Sequence, residues 1–499
     1  MQGSLEIKYI NDTVGYGLFA TRDFDLGNEV LSIKTPFAAV LATEKLDDTC
    51  AGCFKSASDE GRSAENPQIV TVRACTGCKV VKYCDRACQR KDWKLGHSLE
   101  CPIYANLWPR ILPVNVRAAL RILLRFVSGK TSPEELELWK NLKSHIVAIR
   151  ERNGEQWHRT VLSAKAVLEY SKEAREQSAV PVTEEFVVES FAKMEVNTFN
   201  LTNAFNDRIG IYVHPYAALL NHSCDYNAVV SFEGDQLFIK PLRPIRNGEQ
   251  IFISYVDCTH PRDVRRKELL DRYFFTCDCT KCQKAPTDPE DVFLVLNPDD
   301  ATVSPAEQNA RRQLEFASTA TNHHVALRHL EEAMQELDAT GVWPITRQPH
   351  PEIRDELFVT LLTVQQYHKA LAHAVIRYRQ VDPLLFPSPV HPTRRLHAWA
   401  LVRLLTSIGD TSPDAVSVLQ NLCVDMPLVL WSVLAWLAAH EKEACTPSLF
   451  QETVRASQAE LHKDFQAHGR DPSNVTKSDE DREWEKMDQF AKQILSNRN

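Results

Sequence analysis

Seven cysteines and one histidine fall within residues 50–101, and their spacing leaves few folds open. The pairs read Cys50-x2-Cys53, Cys75-x2-Cys78, Cys84-x3-Cys88 and His97-x3-Cys101. An x2 pair fits a tight turn. An x3 pair puts its ligands at i and i+4, on one face of a helix. Seven thiolates and one imidazole are enough for two four-coordinate zinc ions. A segment this poor in apolar core folds when a metal supplies the free energy. Free buried cysteines are the plainer alternative, and the paired spacing argues against them.

The other cysteines extend the pattern. Of 14 in the chain, three stand in CDCTKC as Cys277, Cys279 and Cys282. Cys224 stands alone inside the heptapeptide NHSCDYN, and Cys258, Cys423 and Cys445 lie outside any cluster. In a reducing compartment such clustering favours metal over disulfides. The 499 residues are 43% apolar and 25% charged, the profile of a globular protein of several domains. A net charge of −8 argues against a general nucleic-acid coat protein. The N-terminus MQGSLEIKYIND lacks the basic and apolar regions of a secretion signal. The longest apolar run, Met426 to Ala439, is fourteen residues and suits a buried helix better than a membrane span. The expectation is a monomeric intracellular protein, cytoplasmic and nuclear, without membrane contact.

Periodicity divides the chain. Short β-like runs (LEIKYI, GLFAT, EVLSI) fill residues 1–45. Residues 115–195 are mostly helical by period, as in VRAALRILLRFV and EELELWKNLKSHIVAI. Strands return over 208–256 as IGIYV, AVVSF, QLFIKP and QIFISYV. Ala-Pro, Asp-Pro and Asn-Pro steps between Ala285 and Ser304 read as a linker. From about Pro305 onward the pattern is helical, with helix-pair lengths but no clean 34-residue repeat. The charged stretch NVTKSDEDREWEKMDQF reads as a last helix.

With its CQRKDWKLGHSLEC end, the first cluster resembles a MYND zinc finger. The resemblance implies interleaved metal binding, Cys50 and Cys53 with Cys84 and Cys88, and Cys75 and Cys78 with His97 and Cys101. The 21-residue gap between Cys53 and Cys75 exceeds the family's usual spacing and implies an extra loop. MYND fingers mostly bind proline-containing peptides. Lys79, Lys82, Arg86, Arg90, Lys91 and Lys94 oppose only Asp85 and Asp92 here, so DNA contact is the rival to a solvated basic face.

Four further segments stand in a telling order: GYGLFATRDFDLGNEV, NHSCDYN, GEQIFISYVD and RYFFTCDCTKC. In this order they resemble a SET-domain lysine methyltransferase with a post-SET zinc motif. The inserted finger narrows the resemblance to the SET-and-MYND (SMYD) family. It implies an α+β, β-rich SET fold with a knot-like crossing and an all-α, TPR-like C-terminal domain. The implied boundaries are 1–48 and 196–257 for the SET parts, 49–101 for the finger and 102–195 for a helical insert. They continue with 258–284 for the post-SET motif, 285–304 for the linker and 305–499 for the helical domain.

The family's activity is transfer of a methyl group from S-adenosylmethionine to a lysine of a histone or other protein. Tyr255 carries over as the catalytic tyrosine. Gly15, Tyr16, Gly17, His145, Asn197, Asn221, His222 and Phe275 carry over as cofactor contacts. Phe199 and Tyr273 carry over to the lysine channel, and Cys224 joins Cys277, Cys279 and Cys282 as a third zinc site. Tyr226 replaces the family's usual Pro, and Ala218 a frequent Ser. The alternatives are a catalytically weak adaptor built on the finger, or a transcriptional regulator.

Overall fold

The computed structural model describes residues 4–56, 70–152, 154–283, 289–297 and 301–496. The implied extra loop between Cys53 and Cys75 lies largely outside the described residues. The chain forms two compact units. The first comprises Met1–Val256, Lys267–Cys277 and Pro447–Phe450; the second comprises Asp257–Arg266, Asp278–Thr446 and Gln451–Asn499.

The first unit is built on small sheets. Its strands are β1 (Leu5–Asn11), β2 (Gly15–Ala20), β3 (Leu31–Ile33), β4 (Ala38–Leu41), β5 (Arg73–Ala74), β6 (Lys82–Tyr83), β7 (Thr198–Thr202), β8 (Arg208–Val213), β9 (Asn221–His222), β10 (Ala228–Glu233), β11 (Gln236–Pro241) and β12 (Phe252–Ile253). β1 and β2 form a hairpin, β3 pairs with β11, and β8 lies between β4 and β7. β9 and β12 pair in parallel, Asn221 opposite Phe252 and His222 opposite Ile253. Parallel neighbours need a crossover connection. Asn227, fully buried, fixes this crossing. Its amide donates to the Gln250 carbonyl at 2.8 Å and its oxygen accepts from the Phe252 N–H at 2.8 Å.

Helices α1 (Arg86–Asp92) and α2 (Ser98–Leu107) carry Cys88 and Cys101 of the first cysteine cluster, α2 running past the expected finger boundary at 101, and α3 (Val114–Val127) follows. The insert continues as α4 (Pro133–Asn141), α5 (Ile146–Arg152), α6 (Gly154–Tyr170), α7 (Lys172–Glu176) and α8 (Glu184–Asn197). A capping box of Ser132 and Glu135 starts α4, and Thr183 caps α8.

α3 carries Arg117, Arg121 and Arg125 one helical turn apart, and all three are buried. They reach the open edge of β4. Arg117 donates to the Leu41 carbonyl at 2.8 Å, Arg121 to the Ala39 carbonyl at 2.9 Å, and Arg125 to the Phe37 carbonyl. Three acceptors of an edge strand thus find donors from a helix. Arg121 also joins the finger to the sheet. Its guanidinium holds Glu100 through two hydrogen bonds of 2.7 Å and lies 3.0 Å from Asp92. Burial would raise the Glu100 carboxyl, but the Arg121 charge outweighs it and holds the group at about 2. The finger docks again at the β10–β11 turn, where Lys91 pairs with Asp235 at 2.6 Å. A Cβ on Gly234, whose φ is +63°, would lie 2.5 Å from the Cys53 carbonyl oxygen.

The second unit is helical among its described residues. α9 (Arg262–Tyr273) is shared with the first unit, and α10 (Thr280–Gln283) follows. Residues 289–296, expected within a linker, form α11 (Pro289–Leu296). Pro289 stands at the first helical position, where its missing N–H costs nothing, and Phe293 is buried against Trp343. The unit continues with α12 (Val303–Thr319), α13 (His323–Asp338), α14 (His350–Thr363) and α15 (Tyr367–Ile376), each packed on the next. α16 (Asp382–Leu385), α17 (Pro392–Thr411), α18 (Pro413–Asn421), α19 (Met426–Ala439), α20 (Ser448–Ala467) and α21 (Lys477–Ser496) complete it. α21, the last helix expected from the charged stretch, packs back on α15 rather than extending a regular stack. Among the described residues no single helix is long and apolar enough to cross a membrane.

Candidate active site and zinc centres

Three sets of ligand atoms converge, each within 4.8 Å: Cys50, Cys53, Cys84 and Cys88; Cys75, Cys78, His97 and Cys101; Cys224, Cys277, Cys279 and Cys282. Sulfurs held tetrahedrally at about 2.3 Å from zinc stand about 3.8 Å apart, far beyond a disulfide bond. Cys53–Cys84 and Cys75–Cys101 are at 3.8 Å, and Cys224–Cys277 at 4.0 Å. His97 Nε2 is 3.6 Å from the Cys78 sulfur, and its Nδ1 faces Glu100 at 3.6 Å. The donor sets and spacings fit three zinc ions.

The local geometry differs from the expectation at one pair. Cys84 lies before α1 rather than on it. Asp85 caps the helix by accepting from the Cys88 N–H at 2.7 Å, and this turn brings the two sulfurs to 3.4 Å. His97 closes a π-turn, Trp93–His97, that runs into α2 and keeps His97 and Cys101 together. Cys258 stands outside all three sets. Metal analysis of the purified chain should return three zinc ions, unchanged in Cys258→Ala; a value near one or zero would remove the assignment.

The predicted site residues of the SET parts all lie in the first unit. Tyr255 follows β12, half-buried. Its hydroxyl donates to the Leu220 carbonyl at 2.6 Å and its N–H donates to His222 Nδ1 at 3.0 Å. The Tyr273 ring lies 4.9 Å from the Tyr255 ring, and its hydroxyl donates to the Tyr255 carbonyl at 3.4 Å. Burial raises the pKa of both phenols, and Tyr273 adds to the rise at Tyr255. Both hydroxyls therefore stay protonated at neutral pH. Phe275 lies 6.1 Å from the His222 ring. Phe199 sits on β7 opposite Tyr212, half-buried, without a ring contact among the described residues.

Asn221 donates to the Tyr16 carbonyl at 3.0 Å, which ties β9 to the glycine turn of β2. A Cβ on Gly17 would come within 2.4 Å of Gln250 Nε2 and 2.9 Å of Asn221 Nδ2, so these amides require the bare backbone. The Gln250 amide nitrogen is buried there without a partner. Tyr16 itself is exposed. Asn197, the last residue of α8, donates to the Lys143 and Lys193 carbonyls at 3.0 and 2.8 Å.

His145 is not helical. It precedes α5 with φ of +48° and stacks on Phe274, itself at φ +63°, with ring centres 5.2 Å apart. Burial lowers its pKa, and Lys143 lowers it further. Sequence reasoning passed over Phe274, Asn227, Gln250 and the Leu220 carbonyl. Only Phe274, beside Phe275, carried a signal. Ala218 lies in the short turn Ala217–Leu219 just before Leu220, and Tyr226 lies half-buried between Cys224 and Asn227.

The family model described as "SET domain" matches residues 15–256, a stretch that holds Tyr255 and the strands around it. The chain is similar to curated proteins that carry SET and MYND domains. Histone-lysine N-methyltransferase SMYD3 of Homo sapiens is 34% identical over 217 residues, covering 43% of this chain and 50% of that protein. N-lysine methyltransferase SMYD2 of Gallus gallus is 29% identical over 291 residues, 58% of this chain and 62% of that protein. SET domain and MYND-type zinc finger protein 6 of Schizosaccharomyces pombe is 28% identical over 291 residues, 58% and 54%. The chain thus spans about half the length of the first of these relatives. A solved structure of Rubisco LSMT bound to sinefungin and monomethyllysine aligns over 82% of this chain and 88% of its own, at 14% identity and a TM-score of 0.21.

Proposed function

We propose that the chain is an S-adenosylmethionine-dependent protein-lysine N-methyltransferase. The observation that carries this reading is the Tyr255 hydroxyl, committed as a donor to the Leu220 carbonyl and flanked by His222 and Tyr273. S-adenosylmethionine, when bound, supplies an electrophilic methyl group. The charge handled in such a transfer is positive throughout, so the site needs acceptors rather than an oxyanion hole. A tyrosine that gives its hydrogen to a carbonyl presents oxygen lone pairs, and Tyr255 is such a group.

A lysine amine, with a pKa of about 10.4, has to lose its proton before it can attack. The Tyr255–Tyr273 pair provides aromatic walls where desolvation disfavours the ammonium. The site's main contribution is orientation. On the cofactor side, the glycine turn of Gly15, Tyr16 and Gly17, Asn221, the main chain at His222, and Asn197 form a polar cradle, with His145 and Phe275 as ring surfaces. The unpartnered Gln250 amide supports a polar ligand there. Phe199 and Tyr273 complete the lysine channel in this reading.

The finger is the protein-binding module of the same reading. Lys82 and Lys91 are paired with Asp47 and Asp235, which reduces the basic face, whereas Trp93 is 44% exposed and offers an aromatic surface to a proline-containing peptide. These points favour a peptide over DNA. The reading includes a monomer that works in cytoplasm and nucleus.

The test is transfer of labelled methyl groups to lysines of extract proteins, with calorimetry of cofactor binding. Asn221→Ala should weaken that binding by the worth of a buried amide hydrogen bond, about 1–3 kcal/mol. No transfer by the wild type, together with equal cofactor affinity in the mutant, would end this reading.

A further inference from the structure

The His222 ring has both nitrogens committed inside the protein. Nδ1 accepts from the Tyr255 N–H at 3.0 Å. A nitrogen that accepts carries no hydrogen, so the ring hydrogen sits on Nε2. Nε2 lies 3.3 Å from the sulfur of Cys224, a ligand of the third zinc set. The ring therefore donates N–H to a sulfur of the third ligand set with one nitrogen and holds the Tyr255 backbone with the other. It is buried, and its centre is 5.4 Å from the Tyr255 ring. The parallel pairing of His222 with Ile253, two residues before Tyr255, fixes the same segment from the main chain.

We propose that His222 is a positioning residue that links the third zinc site to Tyr255. The inference rests on the methyltransferase reading for its consequence in turnover, but not for the link itself. Through this link the zinc centre does more than brace the CDCTKC segment. It holds the thiolate, the thiolate sets the imidazole, and the imidazole sets where the Tyr255 hydroxyl sits. The ring is thus a strut, in the way that outer-shell partners fix metal ligands elsewhere, run here from the metal toward the reacting centre.

The two nitrogens can be replaced one at a time. His222→Asn puts an acceptor where Nδ1 was and nothing where Nε2 was. His222→Gln puts an amide donor near the Nε2 position and no acceptor at the Nδ1 position. Cadmium-113 spectra of the full chain, with zinc exchanged for cadmium, report thiolate hydrogen bonding directly. In His222→Asn the third-site resonance should move while the two finger resonances stay. In His222→Gln all three should stay, and kcat should fall about tenfold, the worth of one lost hydrogen bond, with KM for the cofactor unchanged.

Nitrogen-15 histidine spectra of the wild type should show the Nε2–H tautomer at His222; the Nδ1–H tautomer would overturn the proposal without any variant. Immobile cadmium resonances in His222→Asn would overturn it too. So would an equal loss of cofactor affinity in both variants with kcat preserved at saturation, since the ring would then be a cofactor contact. The cadmium readout does not depend on turnover. A wild type that transfers no methyl group while the resonance still moves would remove the methyltransferase reading and leave the link standing.

Discussion

Tyr255→Phe is expected to lower methyl transfer by about two to three orders of magnitude, the usual cost of removing one preorganised polar group from a reacting centre. The substitution removes one oxygen. The ring still packs against Tyr273 and His222, whose centres lie 4.9 and 5.4 Å away. The lost bond to the Leu220 carbonyl costs about 1 kcal/mol of stability. Cofactor affinity should hold, because the hydroxyl serves the transition state more than the ground state. Zinc content should remain three per chain, since no ligand set includes Tyr255. The measurement is single-turnover transfer at saturating cofactor, with melting temperature and zinc content alongside. A folded, zinc-replete variant that keeps most of the wild-type rate would make Tyr255 a packing residue.

The contrast with Tyr273→Phe is informative. The Tyr273 hydroxyl donates to the Tyr255 carbonyl at 3.4 Å, a long bond that an unperturbed ring can lose cheaply. The proposed channel role rests on its ring more than on its oxygen. The effect on rate should therefore be much smaller than at Tyr255.

The zinc ligands were legible because their signal is spacing, and spacing survives any fold that brings the pairs together. All twelve ligands expected from sequence fall into three sets. The order of their motifs singles out Tyr255, Asn221 and His222, and the structure joins Tyr255 to His222 by a hydrogen bond, but sequence could not say which atoms each would face. His145 was misread as helical because the period of EELELWKNLKSHIVAI runs through it. The chain instead leaves α4 at Asn141 and enters α5 at Ile146, and the left-handed turn between them serves a stacking contact with distant Phe274. α11 was hidden by an Asp-Pro step, which breaks a helix in its interior but also opens one at its first position. The arginines of α3 were the deepest omission. Periodicity treats Arg117, Arg121 and Arg125 as the polar stripe of an amphipathic helix, and polar stripes ordinarily face water. Here the stripe faces the carbonyls of an edge strand and two buried carboxylates, partners at sequence distances that no local pattern reveals.

That network supports the second large effect. Arg121→Met is expected to destabilise the first unit by about 3–5 kcal/mol, the range found when one member of a buried ion pair is removed. Glu100 is fully buried and Asp92 nearly so, and Arg121 is the cation bonded to both. Tyr83 can still donate to Asp92 at 2.7 Å, whereas Glu100 keeps only the His97 ring nitrogen at 3.6 Å, beyond hydrogen-bond distance. The Ala39 carbonyl loses its donor as well. On heating, the transition of this unit should fall by on the order of 10 °C. Arg125→Met is the control. Among the described residues Arg125 hydrogen-bonds backbone carbonyls, at Pro36, Phe37 and Lys130, lies over the Phe37 ring and forms no ion pair, so its loss strands no carboxylate. It should cost ordinary hydrogen bonds, about 1–3 kcal/mol. Differential scanning calorimetry of both variants decides the matter. If the two methionine variants melt together, the carboxylates contribute nothing through Arg121, and the finger is held to the sheet by β4 carbonyls and apolar packing alone. A clear gap between them would instead make the Glu100–Arg121–Asp92 cluster the joint through which the zinc finger stabilises the SET sheet.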